Sequence, residues 1–104
     1  MKKLFENFIN YKSRVAFIDE NNKKYYYYDI LNCKKKIEKL IIKDSIVFLL
    51  AGNNPGSLLS YTSLMLCKCT IILGDYSFEN SYVDKILDNF NPDFILMPSE
   101  FKKL

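Results

Sequence analysis

Residues 47–61 read VFLLAGNNPGSLLSY: an apolar run, a Gly/Asn/Pro loop, then apolar residues at helical spacing. A strand, loop and helix of that form either cradles a phosphate or only joins two core elements. The pattern continues on both sides. "SIVFLLA" (45–51) leads into an apolar segment from Leu58 to Cys67 and then "TIILG" (70–74). Next come an amphipathic segment with Tyr82, Val83, Ile86, Leu87 and Phe90 on one face, and finally "DFILM" (93–97). Short unbroken apolar strands separated by helices are the signature of βαβ units, because a parallel sheet is covered on both faces. This half of the chain therefore predicts a β-α-β-α-β parallel, doubly wound half-sheet. Ser81 to Asp84 offers an S-x-x-D cap for the last helix, and Asn91-Pro92 stops it.

The loop fails the phosphate motifs. A Walker A loop is G-x-x-x-x-G-K-[ST], whereas here Gly52 and Gly56 are four apart and Ser57 follows with no lysine. The dinucleotide fingerprint G-x-G-x-x-G also fails, because the chain has three glycines and the third, Gly74, lies on another strand. A helix N-terminus does follow the loop, which allows weak anion affinity. The spacing favours a structural connection.

Working back towards the N-terminus, Leu4, Phe5, Phe8 and Ile9 recur at a spacing that predicts a first amphipathic helix. "VAFID" (15–19) and "KYYYY" (24–28) flank the polar cluster "ENNKK", which predicts an antiparallel β-hairpin. Tyr25 to Tyr28 suit a strand, whose alternation would put two rings on each face. As a base-stacking platform they lack a basic groove. Asp29 is a candidate N-cap for a helix with Ile30, Cys33, Ile37, Leu40 and Ile41 at helical spacing. Lys34, Lys35, Lys36 and Lys39 fall mostly on the opposite, solvated face. The fold class is thus α/β: an N-terminal helix and β-hairpin, followed by the doubly wound half-sheet.

Composition narrows the function classes. At 104 residues the chain fits one domain, and 49% hydrophobic with 26% charged residues describes a globular chain. Fifteen Lys/Arg against twelve Asp/Glu leave +3, too little to argue for nucleic acid or a membrane surface. In "MKKLFENFINYK" Glu6 and Asn7 interrupt the apolar patch, so no signal-peptide core exists, and no stretch approaches the ~20 apolar residues of a membrane span. The default compartment is the cytoplasm.

Candidate chemistry is scarce. Cys33, Cys67 and Cys69 are an odd number, which points to reduced thiols. Cys67-x-Cys69 has no histidine and no second pair to complete a zinc site. The absence of histidine also removes the commonest general base and any Ser/His/Asp triad. Asp19/Glu20 sit at a turn and Asp84/Asp88 at i, i+4 on a helix surface, where both pairs read as solvated charge. No catalytic, cofactor-binding or metal-binding residue is assigned.

The order of elements resembles the N-terminal segment of the adenylate-forming (AMP-binding) superfamily, which includes acyl-CoA synthetases, amino-acid-activating enzymes and related ligases. Tyr27-Tyr28-Asp29-Ile30-Leu31 stands where that family has a T-Y-x-E-L-like helix start, with Tyr28 and Leu31 matching. "VFLLAGNNPGSLLSYTSLMLCKCTIILGDY" is similar to the family's strand, N-x-P loop, helix and strand, through Asn53, Pro55 and Tyr61. "ENSYVDKILDNFNPDFILMPSE" resembles its next helix and strand. Two departures stand out: Cys67-Lys68-Cys69 replaces a small-Gly-small turn, and Leu73 occupies the family's usual proline position.

The resemblance implies that residues 1–104 are one domain, the first part of the large N-terminal domain of an enzyme that activates a carboxylate with ATP. That enzyme would form an acyl- or aminoacyl-adenylate and pass the acyl group to coenzyme A or a carrier-protein thiol. ATP and magnesium are implied for the full-length parent and no cofactor for this segment, because the phosphate loop and catalytic-lysine motifs lie further along. The segment itself is expected to be scaffold without activity, partnered by the remainder of the enzyme and prone to self-association through exposed surface. The competing reading from the residues is a free-standing α/β interaction module that uses an exposed sheet edge. A nucleotide-binding regulatory domain is a third reading, resting on βαβ topology alone.

Overall fold

The computed structural model describes residues 7–42, 44–97 and the backbone of 100–103. Of the expected first helix, residues 7–10 are helical, while Leu4 and Phe5 lie outside the described residues.

The hairpin forms from β1 (Val15–Ile18) and β2 (Lys24–Tyr26), paired antiparallel with Phe17 opposite Tyr25 and Ile18 opposite Lys24. Asp19 builds its turn: one carboxylate oxygen accepts the amides of Asn21 and Lys23, each at 2.9 Å. Asn22 takes the left-handed conformation at φ 63°, which Asn tolerates better than most residues.

The tyrosine run does not stay extended. Helix α1 (Tyr27–Glu38) starts two residues before the expected cap, and Asp29 sits at its third position, where its carboxylate accepts the Tyr26 amide at 2.8 Å. Asp29 is therefore not the N-cap, and Tyr27 and Tyr28 belong to the helix. An acidic side chain reaching back to the cap amide satisfies a donor that a helix start otherwise leaves orphaned. The rings consequently disperse. Tyr25 stacks on Phe17 at 4.7 Å between centroids, Tyr27 meets Phe8 edge-on at 5.0 Å, and Tyr26 stacks with Tyr28 at 5.2 Å.

The second half follows the expected order: β3 (Ile46–Ala51), α2 (Pro55–Leu66), β4 (Thr70–Asp75), α3 (Asn80–Phe90) and β5 (Phe94–Met97). A final strand, β6 (Glu100–Lys103), pairs antiparallel with β5 and was not expected from its sequence. Sheet order is β4-β3-β5-β6, with β3 parallel to both β4 and β5. The chain moves from β3 to one side and then crosses to the other, so crossovers of one hand place α2 and α3 on opposite faces.

Alternation along the strands sorts the core accordingly. Val47, Leu49, Phe94 and Leu96 join Ile37 of α1 and Leu64 of α2 on one face. Phe48, Leu50 and Ile95 pack with Ile72, Val83, Ile86, Leu87 and Met97 on the other. Burial on both faces is why these strands read as unbroken apolar runs.

The expected edge of α3 needs correction. Its cap is Glu79, whose carbonyl accepts the Tyr82 and Val83 amides at 3.0 and 3.1 Å, so Ser81 lies inside the helix and does not cap it. Tyr82 and Phe90 are exposed, and only Val83, Ile86 and Leu87 reach the sheet. Asn91 ends the helix in the left-handed conformation at φ 45°, ahead of Pro92. Asp93 then zips β5 onto β3, accepting the Ile46 amide at 2.8 Å and donating its own amide to the Ile46 carbonyl at 2.7 Å.

Candidate functional site

The β3–α2 loop is a helix cap that uses two of its own amides, those of Gly52 and Ser57, in internal hydrogen bonds. Asn54 is the N-cap of α2 and its side chain accepts the Ser57 amide at 2.8 Å. The Gly52 amide donates to the Ser57 hydroxyl at 2.8 Å, and Pro55 in the first turn has no N–H to offer. No glycine among the described residues has a positive φ, so the loop lacks the left-handed residues that turn successive amides inward to make an anion nest. A methyl group at Gly52 would stand 2.8 Å from Asn54 Nδ2, so the capping side chain would have to shift to admit it.

Above this loop the turn of the hairpin closes a cleft of about 550 Å³. Its apolar wall comes from Phe17 and Ile18 of β1, Leu58 and Tyr61 of α2, and Leu73 of β4. Polar groups are supplied by Asp19, Glu20 and Asn21 on one side and Asn53 and Asn54 on the other. Volume and lining are those of a small binding cleft. Among the described residues Asp19 and Glu20 are the only charged ones that line it, which gives the cleft an acidic side in a chain of net charge +3. The cleft was not legible in the sequence because its two sides, residues 17–21 and 51–73, are distant along the chain and neither the Asp19 turn nor the Asn53-x-Pro55 loop points to the other.

The other candidate groups remain separate. Asp84 and Asp88 are exposed on α3. Among the described residues no cluster of three His, Cys, Asp or Glu could hold a metal ion. Cys33, Cys67 and Cys69 are free thiols beside the core. Burial pushes the Cys67 thiol up to about 11, helped by the neighbouring Cys69 and Glu38, and burial raises Cys69 as well. Both thiols are therefore held protonated, the opposite of an activated nucleophile. Asp75 at the end of β4 lies below its ordinary range, because the Ser77 amide and hydroxyl donate to it at 2.9 and 2.8 Å.

The turn at Cys67-Lys68-Cys69 closes without a left-handed residue: the Cys67 amide donates to the Leu64 carbonyl and the Cys69 amide to the Cys67 carbonyl, both at 3.0 Å. A lysine therefore fits where the resembled family has glycine. No helix of the described residues is long and apolar enough to cross a membrane.

No protein-family model matches the chain, and no curated protein matches it by sequence. Solved structures do match it. The N-terminal subdomain of Klebsiella oxytoca NpsA in complex with anthranilyl-AMSN superposes with TM-score 0.77 at 16% identity, over 93% of this chain and 27% of that one. The luciferase-like enzyme of the nonluminescent mealworm Zophobas morio gives TM-score 0.73 at 17% identity, over 90% and 24%. A variant of E. coli MenE with bound OSB-AMS gives TM-score 0.71 at 17% identity, over 89% and 22%. The chain spans about a quarter of the length of the structures it matches. Their shared architecture shows that the described residues have the fold found in the N-terminal subdomain of NpsA, in the luciferase-like enzyme and in MenE.

Proposed function

We propose that this chain is a scaffold segment of an ATP-dependent carboxylate-activating ligase, which forms an acyl- or aminoacyl-adenylate and hands the acyl group to a thiol. The observation that carries the reading is the superposition over 93% of the chain on an NpsA subdomain that binds anthranilyl-AMSN. MenE with bound OSB-AMS and the luciferase-like enzyme support it. In this reading the remainder of the parent enzyme supplies the catalytic groups and the sites for ATP and magnesium. The segment contributes three parallel strands, their covering helices and the capped β3–α2 loop. It has no activity alone.

The mass of the gene product in the source cell tests this, by immunoblot with antiserum raised against residues 1–104. A band several times larger than 12.3 kDa, together with carboxylate-dependent ATP–pyrophosphate exchange by that product, is the expected result. A band at 12.3 kDa would sink the reading in favour of a free-standing interaction module. The observation on the side of that second reading is the open edge of β4 beside an apolar cleft.

A further inference from the structure

Strand β4 ends the sheet, and among the described residues no strand lies on its outer side. The Thr70 amide donates to the Ser45 carbonyl at 2.8 Å and the Tyr76 amide to the Ala51 carbonyl at 2.7 Å. Alternation along the strand therefore points the N–H and C=O of Ile71 and Leu73 and the N–H of Asp75 outward, while the Asp75 carbonyl accepts the Phe78 amide at 3.0 Å. This edge carries no proline and no bulge in its pairing with β3, the devices that usually blunt an exposed edge.

The edge also borders the cleft. Leu73 is 58% exposed and lines the cleft with Leu58 and Tyr61, while the hairpin turn brings Asp19 and Glu20 to the far side. Lys23 of that turn lies over the Tyr25 ring at 5.1 Å and does not line the cleft. A strand laid against Ile71, Leu73 and Asp75 would send alternate side chains into the space beside Leu73, with the carboxylates of Asp19 and Glu20 beyond them.

We infer that β4 and this cleft form a β-augmentation site for an extended segment of a partner protein, apolar at alternate positions and carrying lysine or arginine towards Asp19 and Glu20. Backbone pairing supplies affinity and is blind to sequence. The apolar wall and the two carboxylates supply the preference. The inference goes beyond the ligase reading and requires that the β4 edge stay uncovered in the protein at its native length.

The test is fluorescence anisotropy on the protein at its native length, with the fluorescein-labelled nonapeptide Ser-Val-Ser-Val-Ser-Lys-Ser-Lys-Ser as probe, whose valines and lysines share one face when extended. Saturable binding is expected, with the peptide that carries glutamate in place of both lysines weaker by about tenfold or more. Leu73→Pro removes one outward donor without touching the β3 ladder and is expected to weaken the probe about tenfold, and Glu20→Lys about fivefold. Should Leu73→Pro fail to fold, as judged by circular dichroism, Leu73→Lys takes its place, introducing a like charge beside the probe. Hydrogen exchange provides a second readout: the amides of Ile71, Leu73 and Asp75 exchange freely in the protein alone and slow when the probe binds. Equal binding of the two peptides, or undiminished binding by the Leu73 and Glu20 variants, would overturn the inference. So would edge amides already protected in the protein alone, whether by its own chain or by a second copy.

Discussion

The Ser63 hydroxyl of α2 reaches the Ile30 carbonyl of α1 at 3.2 Å and the Leu59 carbonyl at 2.6 Å, in a side chain with no exposed surface. It is the small residue that lets the two helices pack together while keeping its one polar group satisfied. Ser63→Ala is expected to lower unfolding stability by about 1 kcal/mol, the usual worth of a buried hydrogen bond. Ser63→Leu should cost more by overpacking, roughly 1–3 kcal/mol. Urea denaturation of both variants checks the order.

Gly74 lies against the most buried ring of the sheet. A methyl group added there would stand 2.6 Å from Phe48 Cε1, and Phe48 has no exposed surface into which to retreat. Gly74→Ala is therefore expected to destabilise by about 1–3 kcal/mol through overpacking. The midpoint in urea should fall with little change in slope, since the surface exposed on unfolding is nearly the same.

Asn54 carries the cap of α2. Asn54→Ala leaves the Ser57 amide without its acceptor and is expected to cost about 1 kcal/mol. Asn54→Asp keeps the acceptor, adds a charge that suits a helix N-terminus, and should hold or raise the melting temperature. If the two substitutions behaved alike, capping would not be the role of this side chain.

The thiols give a pH prediction whose sign follows from their direction. The folded state raises Cys67 from 9.0 to about 11. Its contribution to stability is therefore fully present below pH 9 and is lost as the pH rises towards 11, where the unfolded chain releases a proton that the folded chain retains. Cys67→Ala should flatten that alkaline decline relative to the parent protein. Iodoacetamide at pH 8 should modify Cys67 more slowly in the native protein than in urea.

The parallel half of the molecule was legible because burial on both faces leaves apolar runs that no other arrangement of short strands explains. Val47 to Leu50 send alternate side chains to two different cores, so the run has no polar gap. Where competing propensities met, the reading went astray. The tyrosines of 25–28 favour a strand, yet one carboxylate at Asp29 starts the helix among them. At α3 the periodicity placed Tyr82 and Phe90 on the packed face, but packing ends at Val83 and Leu87 and leaves both rings exposed. Leu73, where the resembled family has proline, ceases to be a puzzle once its amide is seen to point away from β3. Either residue leaves the ladder intact.

The two cores are unequal, and that inequality orders the way the molecule comes apart. Among the described residues one face is sealed by α1 and α2 together around six buried residues, while the other has three, and α3 contributes no buried residue of its own. A helix held by partly buried side chains alone is cheaper to release than α1 or α2, which bury Ile37 and Leu64. Of these three helices, α3 should therefore open first, which exposes Phe48 and Leu50 while the β3, α1 and α2 unit stays closed. Deuterium should accordingly enter the α3 amides well before it reaches those of β3, so that this sheet sheds one coat while still wearing the other.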